Sequence, residues 1–454
     1  MSSGPSVLVV GAGLAGLSAA LRLQGAGATV RIVDPAPPGG KARTIEVAPG
    51  WTVEWGPHSF TSRATPLFTL ADAVGLGEGA PGGTARVGGQ AHARYLARGG
   101  RLHRAGLKPG ALTVGEMWGL FRGLFRAVPA DAPDASVEAW LTARFGRSFA
   151  EGPAGAFTVG IWGARPSEVE MAAAFPGIVE GMRGGGSVLG ALLRARRAAR
   201  ASDTPPRASG TGGFAGGMGA LTDAAARRLG GDAFLRARAT ALRKQPGGEG
   251  WQVETEGDIW SADAVVVATE APTAAALLAP IAPAAAAPLR GIRYSSLLVA
   301  HWMTPTDACP LPHGFGWLAP PAEGRGALGT IFVSDLRPAA APGGTRSFAT
   351  MFGGTPRPED ARMDDQVARA RLLAEVRELT GHEPTLSGLH VIRHPAAVPI
   401  PGPGHGARME AALGALPRGL ALAGAWCGMG AMHEAIRAGH TAADRILEGG
   451  AGAD

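Results

Sequence analysis

The sequence contains little cysteine and little lysine, and both shortages bear on its function. Its 454 residues include two cysteines, Cys309 and Cys427, which lie far apart and form neither a CxxC motif nor a zinc pattern. A disulfide framework is therefore excluded, and a reducing compartment is expected. Lysine occurs only at Lys41, Lys108 and Lys244, so arginine carries nearly all of the positive charge.

Long apolar runs are missing as well. No uninterrupted apolar stretch is long enough to cross a bilayer, so we expect any membrane contact to be peripheral. The apolar residues 7–23 lack the basic start of a signal peptide, which indicates a cytoplasmic protein. The net charge of +6 suits an acidic ligand or an anionic surface. No nucleic-acid-binding motif accompanies this charge, so we expect no nucleic-acid partner.

The N-terminus has the pattern of a βαβ unit. Residues 6–10 form an apolar run typical of a strand that is buried on both faces. Residues 14–24 have helical apolar spacing, and residues 29–33 predict a second strand. We therefore expect an open parallel sheet with helices on its faces.

A glycine motif joins the first strand to the helix. Residues 11–16 read G-x-G-x-x-G, in which Gly11 permits a tight turn, Gly13 permits close approach of a pyrophosphate, and Gly16 lets the helix pack against the strand. The N-terminus of the helix then offers free N–H groups to the phosphates. Asp34 ends the second strand, where a carboxylate can bind ribose hydroxyls. Together these features predict a dinucleotide site.

A second glycine segment favours FAD over NAD. Residues 39–44 read Gly-Gly-Lys-Ala-Arg-Thr and follow the second strand closely. Gly40 allows close approach to a cofactor, while Lys41 and Arg43 supply charge for a pyrophosphate.

The segment 54–60, Glu-Trp-Gly-Pro-His-Ser-Phe, comes next. The two segments, in this order, resemble the FAD-containing amine oxidase and protoporphyrinogen oxidase superfamily. This resemblance implies FAD as the cofactor, with Gly56, Pro57 and His58 in its site and the backbone of Ala239 against the adenine. It also implies that the flavin is not covalently attached, since the cysteine used by relatives that attach it has no counterpart before the last strand.

The C-terminal residues agree with this resemblance. Residues 420–424, followed by Gly428, Gly430 and a helix over 432–447, look like the superfamily's last strand, loop and helix. In the superfamily that helix N-terminus meets the flavin, where its N–H groups stabilise negative charge on the reduced ring. By the same resemblance, Gly424 belongs to the cofactor site.

Internal segments resemble the protoporphyrinogen oxidase family more closely. They are, in chain order, Arg94-Tyr95-Leu96, Gly160-Ile161-Trp162-Gly163 with Ala174-Phe175-Pro176, Gly314-Phe315-Gly316-Trp317-Leu318, and Met351-Phe352-Gly353-Gly354. The resemblance implies that Arg94 binds a substrate propionate, which a guanidinium can hold bidentately. It places the carbonyl of Gly160 near the pyrrole N–H groups. Phe315, Leu318 and Met351 would sandwich the tetrapyrrole, which needs apolar walls.

The implied activity is FAD-dependent oxidation of protoporphyrinogen IX to protoporphyrin IX in haem biosynthesis, with oxygen as the acceptor. The flavin performs the redox chemistry, and aromatisation supplies most of the driving force. We therefore assign no catalytic side chain and expect no metal.

Some residues depart from the family pattern and leave the substrate open. Asp34 stands where the family usually has Glu, residues 398–401 replace an Ile-Pro-Gln-Tyr element, and residues 433–436 look more like amine oxidases. A coproporphyrinogen III oxidase and an FAD-dependent amine oxidase are therefore the alternatives. The amine oxidases typically place a lysine on the central strand, and residues 295–302 contain none. A flavin-binding protein without activity is a third reading, but the sequence offers no interaction module.

The whole pattern predicts an α/β fold in several parts. A Rossmann-like FAD-binding domain is built from the discontinuous segments 1–64, 212–275 and 385–454. A mainly helical insertion, 65–211, could face a membrane or cap the substrate, and 276–384 form a strand-rich substrate-binding domain with a mixed sheet. The basic stretch 194–200 could lie on anionic lipid at the inner face of the cell membrane. The oligomeric state stays open, with a homodimer as one option.

Overall fold

The computed structural model describes residues 4–61, 64–86, 89–107, 110–126, 135–182, 187–201 and 210–450. Lys108 falls outside this range, as do the side chains of Arg196 and Arg200 in the predicted basic stretch. The β-strands, in chain order, are β1 Ser6–Val10, β2 Thr29–Val33, β3 Thr44–Ala48, β4 Trp51–Glu54, β5 Phe60–Thr61, β6 Thr84–Arg86, β7 Arg94–Arg98, β8 Arg101–Arg104, β9 Thr211–Phe214, β10 Phe234–Leu235, β11 Ala239–Lys244, β12 Trp251–Thr255, β13 Ile259–Ala262, β14 Ala264–Val267, β15 Tyr294–Pro305, β16 Gly316–Leu318, β17 Ala327–Ile331, β18 Thr345–Gly353, β19 Gly388–Pro399 and β20 Leu420–Leu422. The α-helices are α1 Leu14–Gly25, α2 Thr65–Ala73, α3 Val114–Phe125, α4 Val137–Phe145, α5 Arg147–Glu151, α6 Pro153–Trp162, α7 Met171–Ala174, α8 Pro176–Met182, α9 Val188–Ala201, α10 Gly219–Leu229, α11 Ala271–Leu278, α12 Pro283–Leu289, α13 Val333–Leu336, α14 Asp365–Thr380, α15 His405–Gly414 and α16 Met432–Gly450.

A five-stranded parallel sheet, in the order β10-β2-β1-β14-β20, organises the nucleotide-binding part. Its two central strands, β1 and β14, are apolar runs because helices cover both faces of the sheet. Leu17 of α1, Leu221 of α10 and Ile436 of α16 are buried on one face. Leu278 of α11 and Leu289 of α12 are buried on the other. The predicted α/β fold with a Rossmann-like sheet is thus confirmed.

Helices α1 and α16 run parallel to each other on this sheet. A Cβ on Gly439 would lie 2.3 Å from the carbonyl oxygen of Ala15, so only glycine permits this approach. Further along both helices, Arg22 forms an ion pair with Asp444 at 2.5 Å. Both helix N-termini therefore point to the carboxyl edge of the sheet, where their partial positive charges add.

The second large sheet is a seven-stranded mixed sheet in the order β19-β15-β18-β17-β16-β7-β8. Its strands pair antiparallel except for β16 and β7, which are parallel. Trp302, Phe348 and Phe352 are buried on one face, against Leu372 and Val376 of α14. The opposite face is the one that carries the predicted substrate residues.

The strands of this sheet come from segments that the sequence analysis assigned to different parts of the fold. Strands β7 and β8 come from the segment predicted to be mainly helical, and β19 comes from the C-terminal part assigned to the FAD domain. All three strands contain Arg, and β8 and β19 also contain His, so none of them has the apolar run that predicts a buried strand. Strands β10 and β11 follow each other closely in the chain but belong to different sheets. The domain boundaries themselves stay a prediction.

Helices α3 to α9 pack around their own apolar core, which includes Trp140, Phe145 and Trp162. The indole Nε1 of Trp162 donates to the carbonyl of Met429 at 2.7 Å and so ties this helical segment to the C-terminal loop. Within the described ranges, no helix combines the length and the apolar character that a membrane span requires. Three smaller sheets, β3-β4, β5-β9-β6 and β11-β12-β13, complete the fold.

Candidate active site

The carboxyl edge of the parallel sheet gathers residues from distant parts of the chain. Gly11 follows β1, Asp34 follows β2 and Gly424 closely follows β20. Because β2, β1, β14 and β20 are parallel neighbours, these residues lie along one edge. This is the edge where ligands bind in open α/β sheets.

The three motif glycines have different surroundings. Gly11 has φ +111°, and a Cβ there would lie 2.5 Å from the carbonyl oxygen of Ala268. A Cβ on Gly16 would lie 1.9 Å from the carbonyl oxygen of Gly11. A Cβ on Gly13, by contrast, meets nothing within 4 Å. Gly11 and Gly16 therefore serve packing, while Gly13 faces open space beside the N-terminus of α1, which fits a pyrophosphate.

The carboxylate of Asp34 holds the glycine loop in place. Its Oδ2 accepts the backbone N–H of Ala12 at 2.7 Å, and its Oδ1 accepts that of Ala36 at 2.8 Å. Each carboxylate oxygen can accept a further hydrogen bond. Asp34 can thus support the loop and still bind ribose hydroxyls, which keeps its predicted role open.

The second glycine segment lies directly against the first. The N–H of Gly39 donates to the carbonyl of Ala12 at 2.8 Å, and a Cβ on Gly40 would lie 3.0 Å from the Cα of Gly13. Gly40 has φ +54° and so needs the freedom of glycine. Arg43 folds back, with its Nε donating to the Gly40 carbonyl at 3.0 Å and its guanidinium 4.9 Å from the Trp55 ring.

Lys41 extends to the junction of the two large sheets. Its Nζ donates to the carbonyl of Ala396 in β19, lies 3.4 Å from the carboxylate of Glu270, and is 5.4 Å from the ring centre of Tyr294 in β15. Burial lowers the pKa of Lys41, and the charge of Glu270 opposes this shift. A positive charge is therefore held where the nucleotide-binding edge meets the second sheet. The predicted contact with pyrophosphate stays a prediction.

The Gly56-Pro57-His58 turn packs against the same junction. A Cβ on Gly56 would lie 2.5 Å from the carbonyl oxygen of Lys41, so glycine is required for this close approach. The ring of His58 stacks on His301 of β15, with ring centres 5.8 Å apart. Within the described part of the chain, Nε2 of neither histidine has a hydrogen-bond partner. Burial, with the charge of Arg337, lowers the pKa of His58 to about 4.

This histidine pair predicts a pH dependence of stability. The folded-state pKa of His58 is about 4, and unfolded histidine has a pKa of about 6.5. Between these values the unfolded state binds the proton and the folded state does not. The free energy of unfolding should therefore fall as the pH is lowered from about 6.5 to about 4.

A His58→Phe variant should show a shallower fall over this range, because the ring stays and the titration is lost. Urea unfolding at a series of pH values measures it. His92→Phe, at an exposed position, is the matched control and should keep the wild-type slope. An unchanged slope in His58→Phe would contradict the assignment.

The motif around Glu54 contains an ion pair that the sequence pattern did not reveal. The buried carboxylate of Glu54 accepts from Oγ1 of Thr44 at 2.8 Å and from the N–H of Met218 at 3.2 Å. Arg337, far along the chain, lies 3.3 Å away. Burial raises the pKa of Glu54, and Arg337 acts in the opposite sense. A carboxylate in an otherwise apolar segment was the one signal that a distant cation should exist.

The C-terminal loop is built around Gly424. A Cβ there would lie 2.3 Å from Nε1 of Trp426, which donates to the carbonyl of Thr269 at 2.9 Å. Helix α16 then begins at Met432. The loop thus holds the ends of β20 and β14 together and presents the helix N-terminus. Ala239, predicted near the adenine, is half-buried at the start of β11.

Three of the five predicted substrate residues lie on the other face of the seven-stranded sheet. Arg94 pairs with Gly316, Leu318 pairs with Gly329, and Gly329 pairs with Met351. Paired residues point to the same side, and side chains two apart along a strand do so too. Arg94, Leu318 and Met351 therefore lie on one face, although they are distant in sequence.

Arg94 is the exposed end of this group. Its guanidinium lies 4.5 Å from the ring centre of Phe315, and one of its terminal nitrogens donates to Oγ1 of Thr211 at 3.0 Å. Among the described residues it has no carboxylate partner. The stacked guanidinium can therefore bind a carboxylate of a ligand.

Gly160 and Leu318 form the other end of this group of predicted substrate residues. Gly160 lies on α6, and a Cβ there would be 2.6 Å from Cδ2 of Leu318. The helix thus approaches the sheet at this point only because residue 160 is glycine. A separate cavity of about 600 Å³ lies beside α6. Val159 and Leu328 line it, and none of the five predicted substrate residues does.

Comparison with known proteins agrees with this architecture. The chain matches the family described as flavin containing amine oxidoreductase over residues 14–447. It is 28% identical to a chloroplastic protoporphyrinogen oxidase of Oryza sativa subsp. japonica, over 91% of this chain and 82% of that protein. It is also 28% identical to a coproporphyrinogen III oxidase of Propionibacterium freudenreichii subsp. freudenreichii, over 83% and 77%.

A solved structure from Exiguobacterium sp. 255-15, provisionally assigned as a protoporphyrinogen oxidase, has the same fold. Its TM-score is 0.82 at 19% identity, and the match covers 99% of this chain and 100% of that one.

Proposed function

This chain belongs to the family of flavin-containing amine oxidoreductases, and we propose that this FAD-dependent enzyme oxidises protoporphyrinogen IX to protoporphyrin IX with oxygen as the acceptor. The proposal depends most on one observation. The guanidinium of Arg94, which has no carboxylate partner among the described residues, lies at the rim of an apolar sheet face. At its other end this face meets α6, where Leu318 contacts Gly160. A tetrapyrrole has a large apolar body and carboxylates at its edge, which is the chemistry that this arrangement suits.

The number of free cations favours protoporphyrinogen over coproporphyrinogen. Coproporphyrinogen carries extra carboxylates and would need more basic residues around the pocket. Among the five predicted substrate residues, Arg94 is the one cation, and it has no carboxylate partner among the described residues. In the cofactor part of the site, Lys41 is paired with Glu270. Both activities occur among the names of the relatives. Coproporphyrinogen III is therefore the second substrate to test.

The chain's own residues supply binding, orientation and exclusion of water. The glycine loop and Asp34 would hold the nucleotide half of FAD, and the flavin supplies two-electron acceptor chemistry when bound. Arg94 orients the macrocycle by one carboxylate, and Leu318 and Met351 keep its inner edge dry. No buried acid–base pair is needed, because loss of the N–H proton leads towards an aromatic product.

A substrate panel tests the proposal. Purified protein containing FAD is incubated with protoporphyrinogen IX, coproporphyrinogen III or simple amines, while porphyrin fluorescence and peroxide are followed. We expect fluorescence fastest with protoporphyrinogen, with peroxide formed as the porphyrin appears. Faster oxidation of coproporphyrinogen III would make that compound the preferred substrate, and the protein would still be a porphyrinogen oxidase. Peroxide from amines alone would overturn the porphyrinogen assignment.

We also propose a peripheral membrane contact, on the evidence of helix α3. Its side chains Val114, Trp118, Phe121 and Phe125 are 80%, 64%, 57% and 57% exposed. Their spacing puts all of them on one side of the helix. Arg122 and Arg126 are exposed at the same end, while Glu116 is buried against Arg98. An apolar stripe with cations beside it suits the surface of an anionic bilayer.

Vesicle sedimentation tests this contact. We expect binding to anionic vesicles at low salt, weaker binding at high salt, and at least about tenfold weaker binding in a Trp118→Ser/Phe121→Ser double variant. Ile259→Ser, at a position 61% exposed on β13, is the matched control. The absence of salt-sensitive binding would overturn the proposal. Self-association that the double variant abolishes would also overturn it, in favour of a second copy.

A further inference from the structure

A nearly buried arginine at the end of α4 has no anionic partner. Arg144 is 4% exposed, and its guanidinium lies 4.6 Å from the ring centre of Trp140, one turn earlier on the helix. In those parts of the chain that the structure describes, no hydrogen bond or ion pair engages this guanidinium. The partial negative charge at the end of α4 stabilises the cation but satisfies none of its N–H donors. A buried arginine of this kind is unfavourable unless an anion compensates its charge.

A second arginine lies beside the first. Arg126, directly after α3, donates from Nη1 to the carbonyl of Ala143 at 2.7 Å, so it reaches the residue next to Arg144. Burial lowers the pKa of Arg144, and the positive charge of Arg126 lowers it further. Arg126 has no carboxylate partner either among the residues that the structure describes. Two like charges are thus held together at this point, and an anion would stabilise both.

This pair of arginines adjoins the exposed apolar side of α3. Phe125, the last residue of α3, is 57% exposed and directly precedes Arg126. The ends of α3 and α4 are packed closely, since a Cβ on Gly123 would lie 2.8 Å from the carbonyl oxygen of Arg144. When the apolar side of α3 enters the interface of a bilayer, the two guanidiniums therefore come close to the lipid headgroups.

We propose that Arg144 and Arg126 bind the phosphate of an anionic lipid headgroup. This inference rests on the membrane contact proposed for α3 and goes beyond it, because it names the lipid group and the side chains that bind it. A guanidinium holds two phosphate oxygens through parallel N–H···O bonds, and stacking on Trp140 already orients that of Arg144. Of the Arg144 nitrogens, only Nε is fully buried without a partner, so the phosphate can approach from the terminal nitrogens. A lipid is favoured over free phosphate because the exposed Phe125 lies beside the site.

Sedimentation of the FAD-containing protein with phosphatidylglycerol vesicles tests this site. We expect Arg144→Met to bind about tenfold more weakly than the wild type, because one charged hydrogen-bonded contact is lost. Arg144→Lys should lie in between, since it keeps the charge without the planar fork. Arg147→Met is the matched control. It removes the same charge from a side chain that is 77% exposed and paired with Glu151, and it should bind as tightly as the wild type.

Urea unfolding in the absence of lipid separates a binding arginine from a structural one. Methionine has a similar length and no charge, so Arg144→Met should be at least as stable as the wild type in chloride buffer. Inorganic phosphate at the same ionic strength should then raise the urea midpoint of the wild type and of Arg147→Met more than that of Arg144→Met. A less stable Arg144→Met protein, or an equal effect of phosphate on all three proteins, would overturn the site.

The outcomes also separate this site from the membrane contact of α3. If the wild type does not bind anionic vesicles, the contact fails and the lipid site with it. If the wild type binds and Arg144→Met binds as tightly as Arg147→Met, the lipid site alone fails, even where free phosphate stabilises the wild type. The proposed oxidation of protoporphyrinogen depends on neither result and is tested by the substrate panel.

Discussion

Replacing Gly13 with valine should give a folded protein that no longer retains FAD. A Cβ at Gly13 meets nothing within 4 Å, and the backbone there is extended with φ −75° and ψ −179°. The new side chain therefore costs neither packing nor strain in the protein alone. It occupies the space beside the N-terminus of α1 that a pyrophosphate would need, so we expect the affinity for FAD to fall by at least about 100-fold.

The absorbance of bound flavin and a fluorescence titration with FAD measure this loss, and circular dichroism checks the fold. Gly25→Val is the matched control, because a Cβ at Gly25 also meets nothing within 4 Å but lies at the far end of α1. Gly16→Val should instead fail to fold, since its Cβ would lie 1.9 Å from the carbonyl oxygen of Gly11. A Gly13→Val protein that keeps its yellow colour would show that the cofactor lies elsewhere.

The N-terminal nucleotide site could be predicted because its signals are local. The strands Ser6–Val10 and Thr29–Val33 and the helix from Leu14 have the predicted bounds within one residue. An apolar run, a glycine motif and a following helix lie within about one βαβ unit. The role of Gly13 could be predicted from its place in the motif. The sequence did not show that a side chain at this position would meet no other atom of the protein.

Strand β19 shows why other parts were missed. It pairs along β15 from Tyr294 to Met303, yet His390, Arg393, His394 and Pro395 interrupt its apolar pattern. Strand propensity is weak against such residues, and the pairing partner decides the outcome. The ion pair of Glu54 and Arg337 was missed because the two residues are far apart in the sequence, and nothing near either residue indicates the other.

The predicted substrate residues could be identified from local motifs, but their arrangement depends on pairing between distant strands. Resemblance to a family could suggest Arg94, Phe315 and Met351 one at a time, from short segments. Only the strand order β18-β17-β16-β7 brings Arg94, Leu318 and Met351 to one sheet face. Contacts of this kind depend on register between distant strands, which a single sequence does not encode in any local pattern.

Arg94→Ala should lower kcat/KM for protoporphyrinogen IX by about 100-fold, the value of a charged, bidentate hydrogen-bonded contact. Arg94→Lys should fall in between, because a lysine keeps the charge but loses the fork and the stacking on Phe315. FAD content should not change, since the described contacts of Arg94 are with Phe315 and Thr211 and not with the glycine loop. Arg101→Ala, an exposed arginine on the neighbouring strand β8, should behave as wild type.

The same variants also discriminate between substrates. If one propionate of protoporphyrinogen binds Arg94, the change should raise KM more than it lowers kcat, because the contact is made before and during the reaction. Amines carry no carboxylate and gain nothing from Arg94. Equal kcat/KM in wild type and Arg94→Ala would therefore mean that the substrate is recognised without this guanidinium, and a tetrapyrrole bound as proposed would be ruled out.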